Sequence, residues 1–245
     1  MTRLWVLDPY NQMNKENSPE YGKKLYRPKK LLENAISKNN LQNKLLVGFN
    51  ASGFYLRNKY DASSVSKYSA YDKTSVGTLV ITNGKVIRNA YDKAFKTWYI
   101  SGIDPSNQLR VFVDEKSNDT NAKKKWSEDV INSGIRNTYT FAAPVIQDGK
   151  KTNIKTSMPD PNNSSPKGLQ LICQINDNNF ALFTTKNEKR STAINLFLKL
   201  GCKTALNYDG GGSIALLYKS AYSNEIETIV GNGRDLTEAG YFTEK

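Results

Sequence analysis

The chain has 245 residues, 38% of them hydrophobic, enough for a sizeable buried core; it holds no run of about 18 apolar residues, so no membrane-spanning helix is expected. Histidine is absent, which excludes Ser-His-Asp and Cys-His hydrolases and His-ligated zinc sites and leaves acid–base chemistry to Asp, Glu, Lys, Tyr or Cys. The 35 basic residues outnumber the 23 acidic ones, for a formal charge of +12, and this favours anionic partners through the long-range field.

In chain order, residues 3–7 read as a first strand and the polar residues 10–26 as a loop. Pro28 opens a helix with Leu31, Leu32, Ala35 and Ile36 on one face, ended by Asn39-Asn40. Residues 45–49 form a short buried strand that delivers the small-residue turn Asn50-Ala51-Ser52-Gly53. The Ser- and Tyr-rich stretch 57–75 reads as a surface excursion or lid. Residues 76–82 and 85–88 make a hairpin around Asn83-Gly84. Strands follow at 97–103 and 109–113, then a helix capped by Asp119 or Thr120, with Trp126, Val130 and Ile131 on one face and Gly134 at its end.

Residues 138–142 and 145–146 read as strands flanking Pro144, and Asp148-Gly149 as a second hairpin turn. Residues 152–166 are rich in Asn, Ser and Pro and read as a loop. Then come strands at 169–175 and 180–184, a helix over 188–200 capped by Gly201, and a strand over 204–208. A last strand is expected at 225–230. Strands outnumber helices and short turns join most of them, so the expected fold is a single α+β domain over residues 1–245, with mixed, largely antiparallel sheets flanked by a few helices. The phase of Cys173 with Leu169, Leu171 and Ile175 favours burial as a small hydrophobe over a bridge to Cys202, the other cysteine.

The most unusual stretch is Asn207-Tyr208-Asp209-Gly210-Gly211-Gly212-Ser213, set between two apolar runs. Three ordered glycines need a reason: a reversal with positive φ, or close approach of something to the backbone. Successive N–H groups in such a turn can bind an anion, with Asp209 at the mouth of a cleft. The other reading is a tight hairpin with Asp209 at its first corner.

The block Leu200-Gly201-Cys202-Lys203-Thr204-Ala205-Leu206-Asn207-Tyr208-Asp209-Gly210-Gly211-Gly212-Ser213 resembles the signature of phosphodiester glycosidases, a family with bacterial and phage members. Further matches follow in the family's order at residues 50–54, 78–86 and 143–149 and at Arg234, so the resemblance spans roughly the whole chain. It departs at four places. Lys167 stands where the family has arginine, Ile214 where it has a second serine, Glu238 where it has asparagine, and Ala51 and Ser52 where glycine is common.

The resemblance implies hydrolysis of a sugar-1-phosphodiester. Such a reaction needs a carboxylate at an oxocarbenium-like centre and charge stabilisation of a phosphate leaving group, so the lack of histidine is no obstacle. It implies Asp209 as the catalytic carboxylate, nucleophile or base, and Arg234 as the phosphate clamp. Substrate binding falls to Asn50, Gly53, Lys167, Asn207, Gly210, Gly211, Gly212 and Ser213. The implied partner is an anionic glycan or sugar phosphate, such as a teichoic-acid-like polymer, and the implied setting is extracellular, cell-surface or phage-virion-associated. The first eight residues are too short and too soon polar for a secretion signal.

No cofactor is implied. Asp209, Asp235 and Glu238 supply oxygen ligands suited to a divalent cation such as calcium, but their spacing does not demand one. Two other function classes compete: a non-catalytic binding module for anionic cell-surface glycans, and a nucleic-acid binder. The second rests on charge alone, because the lysine runs are dispersed and no nucleic-acid-binding motif accompanies them.

Overall fold

Alternating apolar residues in the short strands and apolar stripes on the helices give each element one face to bury, and the fold stacks those faces. A computed structural model describes the chain except residues 8–10, 20–24, 52–54, 57–73, 76–78, 90–98, 114–119, 141–142, 153–166, 178, 209, 232–233 and 245. The strands are β1 (Thr2–Leu7), β2 (Asn11–Asn17), β3 (Leu46–Asn50), β4 (Tyr55–Leu56), β5 (Thr74–Ser75), β6 (Leu79–Thr82), β7 (Lys85–Asn89), β8 (Tyr99–Ile103) and β9 (Leu109–Val113). They continue as β10 (Asn137–Thr140), β11 (Ala143–Gln147), β12 (Lys150–Lys151), β13 (Lys167–Gln174), β14 (Phe180–Glu188), β15 (Thr204–Asn207), β16 (Ala215–Lys219), β17 (Glu227–Gly231) and β18 (Glu238–Glu244). Among the described residues the α-helices are α1 (Pro28–Asn39), α2 (Thr120–Asn132) and α3 (Arg190–Lys199).

Two sheets form the body. One has six strands in the order β1-β14-β13-β15-β11-β12, the other five in the order β17-β16-β3-β18-β2. Every described ladder in them is antiparallel. Their facing sides share one apolar core, with Ile172, Leu182 and Leu206 from the first sheet and Val47, Phe49, Leu216 and Phe242 from the second. Helix α3 covers the outer face of the six-stranded sheet through Ala193, Ile194 and Phe197. Helix α1 covers the outer face of the five-stranded sheet through Leu31, Leu32 and Ala35. Helix α2 packs Val130 and Trp126 beside β6 and β8. The result is an α+β domain, as the short-turn, strand-rich pattern predicts.

Local chemistry accounts for the connections. Pro28 occupies the start of α1, and Asn40 ends it in the left-handed region at φ 54°. Asn83-Gly84 and Asp148-Gly149 both take two successive positive φ values, as a hairpin turn of matching twist requires.

Four expectations are corrected. Residues 11–17, read as loop, form β2, which pairs along its whole length with β18. Its sequence, NQMNKEN, has one apolar residue, so backbone pairing holds it and no alternation announces it. Strand β18 itself lies beyond the strand expected to be last; a glutamate at its start and a glycine inside it obscure its period. Strand β11 runs through Pro144, with a register irregularity between Pro144 and Ile146 that accommodates the missing N–H. Cys173 and Cys202 are both buried, yet they form a disulfide with Cα atoms 5.9 Å apart. Phase reveals the burial of Cys173, but only the fold brings its partner alongside.

Candidate functional site

Strand β15 lies between β13 and β11 in the six-stranded sheet, and the Gly-rich block is its exit. Tyr208 still belongs to the sheet's frame: its N–H donates to the Gln170 carbonyl at 2.8 Å. Its ring is buried between the sheets, 5.8 Å from that of Phe49 and 5.5 Å from that of Tyr139. Burial holds the Tyr208 phenol well above its ordinary value, and the nearby Glu238 adds to this, so it is neutral and no base. Asp209 and Gly53 lie outside the described residues.

Gly210 leads into a single 3-10 turn, Gly211–Ser213, closed by the Ser213 N–H donating to the Gly210 carbonyl at 3.2 Å. The chain then enters β16, which belongs to the other sheet. Since β15 and β16 are not neighbours, the block is no tight hairpin. It carries the chain across one end of the sandwich.

The glycines have separate causes. A Cβ on Gly210 would sit 2.6 Å from the Gly168 carbonyl oxygen, and one on Gly168 would sit 2.6 Å from that of Gly211. Here the close approach is made by the chain's own β13 backbone, immediately after Lys167. Gly211 has φ +61° and open space around it, so its requirement is conformational. Gly211 and Gly212 are exposed while Ser213 is buried, so the turn presents its glycine backbone to solvent.

Arg234 reaches this turn from the segment between β17 and β18. Its Nη1 donates to the Ser213 hydroxyl at 3.2 Å, and a Cβ on Gly212 would be 4.0 Å from the same nitrogen. The residue is exposed. A guanidinium, a hydroxyl and glycine backbone thus meet at one solvent-facing corner, a donor set suited to phosphate oxygens.

The other expected residues stand around it. Lys167 opens β13, opposite Glu188 in register. Asn207 is occupied internally: its Oδ1 accepts from Arg190 Nε at 3.0 Å and its Nδ2 donates to the Tyr208 carbonyl at 2.8 Å. It therefore braces the corner. Asn50 ends β3, fully buried, in register with Ala239 and one residue beyond the Phe49–Leu216 pair.

Arg190 was missed. It opens α3, only 9% exposed, and a cation in a first helical turn opposes the helix dipole. That misplaced charge is the signal by which the sequence could have revealed it. Of the acidic residues considered for a cation, Asp235 pairs with Arg27 at 2.9 Å and Glu238 with Lys15 at 3.1 Å. Among the described residues no three acidic or cysteine side chains gather to hold a metal, and no helix is long and apolar enough to cross a membrane.

A family model described as phosphodiester glycosidase matches residues 44–242. A prophage-derived uncharacterised protein of Bacillus subtilis, YomE, is 30% identical over 125 residues, 47% of this chain and 19% of its own length. The matched stretch thus spans about a fifth of that relative. The catalytic domain of zebrafish N-acetylglucosamine-1-phosphodiester alpha-N-acetylglucosaminidase, auto-inhibited by its pro-peptide, superposes with a TM-score of 0.60 at 11% identity, over 98% of this chain and 82% of that one. A hypothetical protein from Synechocystis gives 0.58 at 10% identity, over 100% and 59%. At these identities the two solved structures speak for the fold alone.

Proposed function

Because the chain belongs to the phosphodiester glycosidase family, we propose that it is a hydrolase that releases a sugar from a sugar-1-phosphodiester within an anionic glycan. The observation that carries this reading is the Arg234 guanidinium bonded to the Ser213 hydroxyl above an exposed glycine turn. That corner matches the leaving group of the reaction. A departing phosphodiester is a weak base and needs its charge stabilised more than it needs a proton. Arg234, Ser213 and the turn's N–H groups supply that stabilisation, and Lys167 adds a second cation. Asp209 acts at the anomeric carbon, as nucleophile or as base for water. Asn50, fully buried at the end of β3, holds Asp209 in place, and Gly53 lines the sugar side.

One departure from the family pattern leaves this donor set unchanged. Ile214, in place of a serine, is buried in the core between the sheets, so its change concerns packing. The setting we propose is extracellular, cell-surface or virion-associated, and the Cys173–Cys202 disulfide supports it, since such bridges persist outside reducing compartments.

The test is kinetic. Asp209→Asn abolishes sugar release from a sugar-1-phosphodiester and leaves the melting temperature nearly unchanged. Arg234→Ala raises KM for that substrate while sparing a neutral aryl glycoside. Wild-type binding to a phosphoglycan without product release would replace the hydrolase by a binding module. Equal losses on both substrates would remove Arg234 from phosphate binding.

A further inference from the structure

Toward one end, the core between the two sheets encloses a lysine and a glutamate whose side chains are both 0% exposed. Lys15 projects from β2 and Glu238 opens β18. The Lys15 Nζ lies 3.1 Å from Glu238 Oε2, donates to the Thr138 carbonyl at 2.5 Å, and stands 5.4 Å from the centroid of the Tyr139 ring. Among the described residues neither carboxylate oxygen accepts a hydrogen bond, so the two charges meet as an ion pair alone. Two ions removed from water with so few partners contribute less to stability than two apolar side chains of the same size would. Stability therefore does not explain the pair.

What the pair touches suggests another role. The Tyr139 ring, beneath the ammonium, is 5.5 Å from the Tyr208 ring, and Tyr208 immediately precedes the Gly-rich corner. Glu238 follows Arg234 by four residues and precedes Ala239, the register partner of Asn50. The three segments that carry the corner, its guanidinium and Asn50 thus converge in front of one buried ion pair.

We propose that Lys15 and Glu238 are positioning residues for the active corner. The ammonium, held by the Thr138 carbonyl on β10 and by the Glu238 charge on β18, ties these two strands at one point, and this fixes the depth of Tyr139 and Tyr208 and the start of β18, so the corner, Arg234 and Asn50 keep one mutual arrangement. An apolar pair of equal volume would fill the space without that tie. Neither residue meets substrate, since both are sealed from solvent. The kinetic part of the test rests on the hydrolase reading; the structural part does not.

The experiment compares wild type with Lys15→Met/Glu238→Leu, which removes both charges and keeps the volume. Melting temperature, amide hydrogen exchange over residues 207–213 and, with a sugar-1-phosphodiester, kcat and KM are measured. The double variant is expected to melt at or above wild type while the corner's amides exchange about tenfold faster. Its kcat falls about tenfold or more with KM within about twofold. Unchanged exchange at the corner overturns the proposal, as does a lower melting temperature with uniformly faster exchange throughout. Should wild type show no turnover, the hydrolase reading fails and the exchange comparison still decides this one. Should the double variant not fold, Glu238→Asp, which keeps the charge but shortens its reach, decides by the same exchange measurement.

Discussion

Gly210 and Gly211 are adjacent, but an alanine at each meets a different obstacle. At Gly211 the obstacle is φ +61° with no atom within 4 Å of the added carbon, so Gly211→Ala costs about 1–2 kcal/mol of backbone strain and leaves the corner in place. At Gly210 the added carbon meets a backbone oxygen at 2.6 Å, which cannot swing aside as a flexible side chain would. Gly210→Ala therefore costs about 3 kcal/mol and pushes the turn off β13. Urea unfolding of the two variants checks the order; equal costs would mean that the contact with Gly168 gives way freely. Residues of this kind were partly legible. Three consecutive glycines announce a constrained backbone, but not which glycine is constrained by what. The sequence singles out Glu238 only as a departure from the family's asparagine and as an oxygen ligand, and places Lys15 in a polar loop; their pairing is opaque because it depends on β2 joining β18.

At the scale of elements, legibility followed apolar content. Helix α1 and strands β3 and β13 carry enough buried side chains to be read directly. Strand β2 does not, because its place depends on pairing with β18 and not on apolar side chains of its own. The disulfide is the same lesson in covalent form. It ties β13 to the turn after α3, across 29 residues of sequence, and those residues include all of β14 and α3. Both tied segments neighbour β15, the strand that leads into the corner. Closing a loop of that length in the unfolded chain corresponds to about 3.5 kcal/mol. Cys173→Ala/Cys202→Ala is expected to lose about that much in urea unfolding, with faster amide exchange along β15. A loss well below about 1 kcal/mol would show that native packing already supplies the constraint.

For the whole molecule, the sandwich hides three tyrosines among the described residues whose phenols all sit above their ordinary value of 10.0, chiefly through burial. Tyr139 and Tyr208 lie between the sheets and Tyr241 beneath α1. The sign follows from linkage. A group that binds its proton more tightly when folded contributes stability that is fully present below its unfolded value and lost as pH rises beyond it. Above pH 10.0 the unfolded chain releases these protons and the folded one keeps them, so stability falls by about 1.4 kcal/mol per pH unit for each phenol. Lys15 and Lys219 work the other way. Burial lowers both from 10.5, so their contribution rises with pH up to that value and then levels off. The net slope near pH 10 therefore mixes opposing effects, and a single curve cannot separate them. Comparison with Tyr208→Phe can, because the lysine contributions are common to both proteins. Urea unfolding between about pH 9 and pH 11.5 is expected to show the variant losing stability less steeply than wild type above pH 10.0, by about 1.4 kcal/mol per unit. Parallel curves would mean that the Tyr208 hydroxyl reaches water and that the end of the sandwich behind the corner is open.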